Sequence, residues 1–258
     1  MTATVNDKAA TLFQLHRAPE VLQLINVWDV ISDQVIADLP ATTALATAGH
    51  SIAATYGYAD GAMSLDLMLE AVARIVACTA LPVSADLEAG FENPGETVRR
   101  AIGVGVVGAN IEDRMCPLAE AVQRMSDVVV AGHAEGVDFV LNARTDAMIR
   151  GTDRDLSERV ADAIERGTAY LEVGATTVFV PGVLGEDTVV ALVDAFGHNR
   201  LSVIALPGSL SPVRLHELGV ARISYGPWMM NVALTALADT ATALQGGGSL
   251  PAGTRVLN

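Results

Sequence analysis

The sequence predicts a single (β/α)8 (TIM) barrel over residues 1–258, and three observations carry that prediction. Short β-branched, apolar runs alternate with helical stretches eight times. The strand runs are apolar throughout, as strands covered on both faces should be. No Pro/Gly-rich linker or change of composition interrupts the series, and 258 residues is a length that α/β barrels reach as one domain. A doubly wound open sheet would give the same alternation, so the count of eight decides for the barrel.

The predicted strands lie near 22–27, 42–47, 82–87, 107–112, 138–144, 176–181, 201–206 and 221–225. Runs such as Thr177-Val178-Phe179-Val180 and Leu201-Ser202-Val203-Ile204 have the branched, continuous character of interior strands. Helices are predicted near 30–38, 64–79, 95–102, 117–134, 155–172, 186–196, 211–218 and 227–244. Ser64, Asn93-Pro94 and Ser211-Pro212 are start signals, and Gly174, Gly197 and Gly219 are stop signals. Residues 1–20 read as a short polar N-terminal extension and 246–258 as a flexible C-terminal tail.

With 30 acidic against 16 basic residues, the net charge of -14 argues against nucleic acid or an anionic membrane as partner. The two cysteines form no disulfide or metal framework, which points to a reducing, cytoplasmic setting. The N-terminus lacks the basic start and apolar run of a secretion signal, and no stretch is long enough to span a bilayer. A soluble protein is expected.

Barrel chemistry sits on the loops after the strands. At those ends stand Asp86-Leu87-Glu88, Glu112-Asp113 and Asn142-Ala143-Arg144. Asp86 and Glu88 are two apart, so along a continuing strand they face the same way, beside Glu112 of the next strand. Buried like charges repel, so such a cluster makes sense around a cation. Oxygen donors without His or Cys suit Mg²⁺, with Mn²⁺ as a second choice. The alternative is a solvated Glu88 paired with an arginine. Arg144 offers a planar fork for a carboxylate or phosphonate, hence a small anionic α-keto or α-hydroxy acid; its alternative role is to neutralise Glu112.

His50 beside Gly49 could donate to substrate or shuttle a proton, or merely brace a loop. Trp28 could wall the pocket or fill the core. Cys116 has no basic setting beyond Arg114 that would activate its thiol. Gly103-Val-Gly105-Val-Val-Gly108 matches a dinucleotide fingerprint in letters only, because it leads into a strand instead of following one. His16, His133, His198 and His216 fall away from the mouth and receive no role, and no Gly-x-Ser-x-Gly elbow is present.

In order and spacing, several stretches resemble the isocitrate lyase / phosphoenolpyruvate mutase superfamily from about Leu24 to Ala243. They are Asn26-Val-Trp28-Asp29, Gly57-Tyr-Ala-Asp60-Gly61, Ser84-Ala-Asp86-Leu-Glu88-Ala-Gly90, Gly108-Ala-Asn110-Ile-Glu112-Asp113, Asn142-Ala-Arg144-Thr-Asp146 and Leu218-Gly-Val-Ala-Arg222-Ile-Ser224-Tyr-Gly226. The resemblance implies a Mg²⁺-dependent enzyme that makes or breaks a C–C or C–P bond beside an α-oxycarboxylate. It implies Asp86 as direct metal ligand, with Asp60, Glu88 and Glu112 holding the metal's waters. Arg144 would bind the substrate's oxygen or carboxylate, the backbone N–H groups of Gly49 and His50 would cradle the carboxylate, and Trp28 would wall the pocket. It further implies a homodimer or homotetramer, with the last barrel helix packed on a neighbouring subunit.

Two departures shape the expected reaction. The lyases carry a mobile Lys-Lys/Arg-Cys-Gly-His loop after Glu-Asp, whereas here Glu112-Asp113-Arg114-Met115-Cys116-Pro117 runs almost directly into a helix. Where the mutases have Ser-Gly before the cradle, this chain has Ala48-Gly49, one hydroxyl fewer. An ungated pocket favours oxaloacetate decarboxylase-like or acylpyruvate- or phosphonopyruvate-cleaving chemistry over isocitrate cleavage. A metal-dependent pyruvate aldolase and, from another class, a non-catalytic ligand-binding barrel are the alternatives.

Overall fold

In the computed structural model, which describes residues 3–257, the chain forms a parallel β-barrel wrapped in helices. In order, the elements are α1 (Val5–Arg17), β1 (Leu22–Leu24), β2 (Asn26–Val27), α2 (Val30–Ala37), β3 (Leu45–Thr47), α3 (Gly49–Thr55), α4 (Leu65–Cys78), β4 (Val83–Asp86), α5 (Pro94–Gly103), β5 (Gly108–Glu112), α6 (Leu118–Ala134), β6 (Val140–Arg144), α7 (Leu156–Glu172), β7 (Thr177–Phe179), α8 (Glu186–Phe196), β8 (Leu201–Ile204), α9 (Pro212–Glu217), β9 (Arg222–Ser224) and α10 (Trp228–Gln245).

The sheet order is β1-β9-β8-β7-β6-β5-β4-β3-β2, every pairing parallel. β1 pairs with β9 and β2 with β3, so the two pieces serve as one barrel strand that changes partner at Ile25. Eight strand positions, right-handed crossovers and flanking helices make the (β/α)8 barrel that the alternation predicts. The predicted starts hold where side chains close the first turn: Asn93 accepts from Glu96 N–H with Pro94 behind it, and Ser211 accepts from Arg214 N–H ahead of Pro212.

Two elements depart from the sequence expectation. Residues 1–20 are not merely an extension, because Thr4 and Asp7 form a capping box and Val5–Arg17 is a helix with Ala9, Leu12 and His16 buried. This helix closes the N-terminal end of the barrel. Gly108 shows how closely: a Cβ there would lie 2.8 Å from the Leu12 side chain and 2.8 Å from Val140 O. Gly108, the last glycine of the 103–108 run, therefore serves packing under α1. The second departure is α3, which begins directly after Ala48 and leaves no loop between β3 and the helix.

At the other end of the chain α10 buries none of its residues, although Asp239 is its one charged side chain. Val232 and Leu237 are both more than 60% exposed, and the segment 246–257 is exposed throughout. Among the described residues, no helix is long and apolar enough to cross a membrane.

His16 gives the plug a measurable signature. Its Nδ1 meets Leu12 O at 2.8 Å, its Nε2 has no partner, and burial together with the nearby Arg222 cation pushes its pKa down to about 3. The folded protein therefore refuses a proton that the unfolded chain binds below the ordinary value of 6.5. Stability is fully present above pH 6.5 and is lost as pH falls from there toward 3. Between pH 7 and 5 this single group should cost about 2 kcal/mol. Urea unfolding of His16→Gln should show a shallower decline than the parent over that range; parallel curves would mean that His16 is not held neutral.

Candidate active site

Inward-facing residues two apart on each strand build two polar tiers inside the barrel. The lower tier contains Ser84, Asn110, Asn142, Thr177, Ser202 and Arg222, all buried. Asn142 Nδ2 donates to Asn110 Oδ1 (2.6 Å), and Thr177 Oγ1 donates to Asn142 Oδ1 (2.6 Å). Arg222 donates to Ser84 Oγ and to Asn110 Oδ1, each at 3.2 Å. One step up, Asp86 follows Ser84, Glu112 follows Asn110 and Arg144 follows Asn142, at the C-terminal ends of β4, β5 and β6. Above them opens a cavity of about 540 Å³, lined by Asp60, Asp86, Glu88 and Glu112 together with His50, Arg114, Arg144 and Arg150.

The acids are electrostatically crowded. Asp86 is raised above its ordinary pKa, first by burial and then by Glu112 and Asp60, against the pull of Arg144 and the Gly49 N–H. Glu88 is pushed up to about 7 by burial and by Asp86, Glu112 and Asp60, with Arg114 opposing. Arg114 bridges Glu112 Oε1 (2.7 Å) and Glu88 Oε2 (3.2 Å), and Arg144 Nη1 lies 3.0 Å from Glu112 Oε2. The pairings weighed as alternatives for Glu88 and Arg144 are thus both made, inside the cavity. Asp86 has no such arginine: among the described residues, the Gly49 N–H at 3.1 Å is the one donor that meets its carboxylate.

Strand parity does not deliver Glu88. β4 ends at Asp86, Leu87 turns into the core, and Glu88 reaches the cavity through a left-handed backbone (φ 56°). Parity also fails at Trp28. β2 ends at Val27 and Asp29 caps α2, so Asn26 lines the main cavity while Trp28 lines a separate cleft with Val30, Tyr56 and Arg74. Ala48 is the buried N-cap of α3 and contributes no side chain to the cavity. The Gly49 N–H donates to Asp86 Oδ2 and so does not lie open to a substrate carboxylate. His50 lies at the rim with its Nδ1 3.6 Å from Asp60 Oδ2, both side chains more than half exposed. Cys116 does not line the cavity, and burial with Glu120 and Asp113 raises its thiol pKa.

Chain and fold can now be set beside known proteins. A family model described as phosphoenolpyruvate phosphomutase matches residues 12–245. The chain belongs to the phosphoenolpyruvate phosphomutase family. The 2,3-dimethylmalate lyase of Eubacterium barkeri is 28% identical over 257 residues, covering 92% of this chain and 86% of that one. An oxaloacetate decarboxylase of Rhodopseudomonas palustris (strain HaA2) is 28% identical over 195 residues, covering 72% and 67%. A Burkholderia cenocepacia J2315 crystal structure, provisionally assigned as a phosphonomutase, is 35% identical with a TM-score of 0.86, covering 95% of this chain and 100% of that one. The chain is accordingly an enzyme of the phosphoenolpyruvate mutase / isocitrate lyase superfamily, a lyase or mutase whose exact reaction the family leaves open.

Within this family the superfamily's dependence on a metal finds a matching donor set here. The donors are oxygens only, their negative charge exceeds what the arginines offset, and Asp86 is buried with a single hydrogen-bond donor. Among the described residues no three Asp, Glu, His or Cys side chains close into a ready cage. An ion that keeps several waters, held through one or two carboxylates, suits that spacing. Sequence reading missed Arg114, Arg150 and Arg222. Arg114 and Arg150 lie in loops with no periodicity, and Arg222 is a charge inside an otherwise strand-like run. The Asp146-x-x-x-Arg150 spacing was the one available signal, since it places an ion pair on one helical turn.

Gly49 is the sharpest local test. A Cβ there would lie 3.1 Å from Asp86 Oδ2 and 3.2 Å from Glu88 Oε1, while its backbone conformation suits any residue. Gly49→Ala should lower Mn²⁺ or Mg²⁺ affinity about tenfold, roughly 1.4 kcal/mol, with an unchanged melting temperature. Calorimetric titration showing wild-type affinity would separate this carboxylate cluster from metal binding.

Proposed function

We propose that the protein is a Mg²⁺-dependent lyase that cleaves a C–C or C–P bond next to the carbonyl of a small α-keto acid, with oxaloacetate decarboxylation-like or acylpyruvate- or phosphonopyruvate-cleaving reactions favoured over isocitrate cleavage. The observation that carries this reading is the placement of Asp86, Glu88 and Glu112 against Arg144 in one cavity. Asp86 would bind the metal directly, while Asp60, Glu88 and Glu112 would hold its waters. When bound, the divalent ion supplies the positive charge that stabilises an enolate developing beside the scissile bond.

The chain's own groups do the rest. Arg144, fixed by Asp146 at 2.8 Å and by Glu112, presents its guanidinium to the substrate's carboxylate or 2-oxygen. Arg114 holds Glu88 and Glu112 in place without entering the reaction. His50, at the rim and beside Asp60, is the candidate to deliver a proton from solvent to the enolate carbon. With the Gly49 N–H donating to Asp86, the His50 backbone N–H is what remains of the expected cradle to receive the substrate carboxylate. The turn from Glu112 to Pro117 is short and Cys116 is turned away from the cavity, which supports an open site in which water or a proton meets the enolate.

Oxalate, an enolate mimic, is the probe. Calorimetry should show binding with Mg²⁺ present and none after chelation; binding that ignores the metal would defeat the proposal. Asp86→Asn should weaken Mg²⁺-dependent oxalate binding about 100-fold, roughly 2.7 kcal/mol. Arg144→Lys should weaken it about tenfold, because an ammonium cannot reproduce the bidentate fork.

We further propose that α10 packs on a second copy of the chain, giving a homodimer or homotetramer. An apolar helix with no buried residue is a surface that water disfavours. Light scattering should give an oligomer mass for the parent and a smaller species for Val232→Glu/Leu237→Glu; a monomeric parent would end this reading.

A further inference from the structure

The metal-enolate reading uses Arg144 and leaves a neighbouring arginine unexplained. Asp146 is fully buried and its two carboxylate oxygens are divided between two guanidiniums. Arg144 Nε reaches Oδ1 at 2.8 Å and Arg150 Nε reaches Oδ2 at 2.9 Å. Asp146 is itself fixed, its backbone N–H donating to Asp113 Oδ1 at 3.1 Å, and Arg150 N–H donates back to Asp146 O at 2.9 Å. One buried carboxylate thus clamps two arginines by their inner nitrogens and turns both outer edges toward the same cavity.

The two edges are not equivalent. Arg144 spends Nη1 on Glu112, inside the acid cluster. Arg150 has Asp146 as its one carboxylate partner among the described residues, and its terminal nitrogens make no ion pair. It lines the same cavity, which Ile149, Phe179 and Gly182 also line, with its side chain about half exposed. A cavity of about 540 Å³ also holds more than an α-oxycarboxylate chelate requires.

We infer that Arg150 is a specificity-determining residue: it receives a second anionic group, a carboxylate or a tetrahedral oxyanion, that the substrate carries beyond its α-oxycarboxylate end. The inference rests on the metal-enolate site just proposed. A guanidinium anchored at Nε keeps two parallel N–H donors in the geometry that either anion accepts bidentately. Monoanionic α-keto acids, acylpyruvates included, would leave this edge without a partner, so of the proposed reactions the enzyme would favour those of dianions such as oxaloacetate or phosphonopyruvate.

The test uses the Mg²⁺-loaded full chain and three probes: oxalate, which has nothing beyond the chelating pair, 3,3-difluorooxaloacetate, which adds a carboxylate, and sulfopyruvate, which adds a tetrahedral sulfonate. Arg150→Gln keeps a donor for Asp146, and Arg150→Lys keeps the charge. Arg150→Gln should weaken one or both extended probes at least tenfold while shifting oxalate less than twofold, and Arg150→Lys should recover part of the loss. The probe that suffers more identifies the anion as planar or tetrahedral. Equal losses for all three probes, or no loss for either extended probe, would overturn the role of Arg150. Failure of oxalate to bind the parent protein would instead remove the metal-enolate site beneath it.

Discussion

Repulsion among carboxylates at one end of the barrel is the constraint on which the rest of the structure depends. Asp60, Asp86, Glu88 and Glu112 share a cavity, and burial disfavours the charged forms of Asp86 and Glu88. The fold offsets this from two sides. Arg114 and Arg144 pair with Glu88 and Glu112 in the tier of the acids. Arg222, fully buried in the tier below, adds a cation with its pKa drawn down to about 10 by burial and held up by Asp86. The compensation is incomplete at Asp86, whose carboxylate meets the Gly49 N–H alone among the described residues.

Keeping these groups in place requires backbone that sequence preference would not choose. Glu88, Arg114 and Met115 all occupy the left-handed region, which costs about 1 kcal/mol or more for each side-chain-bearing residue. Asp113 holds the second of these turns. It accepts from the backbone N–H of Met115 and Asp146 on one oxygen, and from Tyr170 OH and Arg166 on the other. Helix α7, through Arg166 and Tyr170, therefore fixes the residue next to Glu112.

Much of this was legible in the sequence, and the limits have physical causes. Continuous apolar runs marked the strands because burial on both faces leaves no alternation to confuse. Acids at two consecutive strand ends and an arginine at the third marked the cavity, since the barrel brings those ends together. Glu88 was placed for the wrong reason because period-two reasoning stops where the strand stops, and β4 ends at Asp86; of the two roles open to Trp28, packing against the core is the one the structure shows. Helix α1 was hidden because its buried face is only Ala9, Leu12 and His16 in a mixed polar segment. Arg222 could not be foreseen, since its partners Ser84 and Asn110 lie on strands far away in the chain.

The pairing of Leu22 with Arg222 carries a consequence for how the protein is made. The first strand to leave the ribosome finds its second neighbour only when the ninth has been synthesised. Until then the ring has an open seam, with the backbone groups of β1 unpaired on one edge. Helix α1, made before β1, must likewise wait for β5 and β6 before Leu12 has a surface to rest on. Contacts this remote in sequence make closure slow. Pairing across nearly the whole length of the chain leaves the earliest-made of these segments, α1 and β1, the last to be covered.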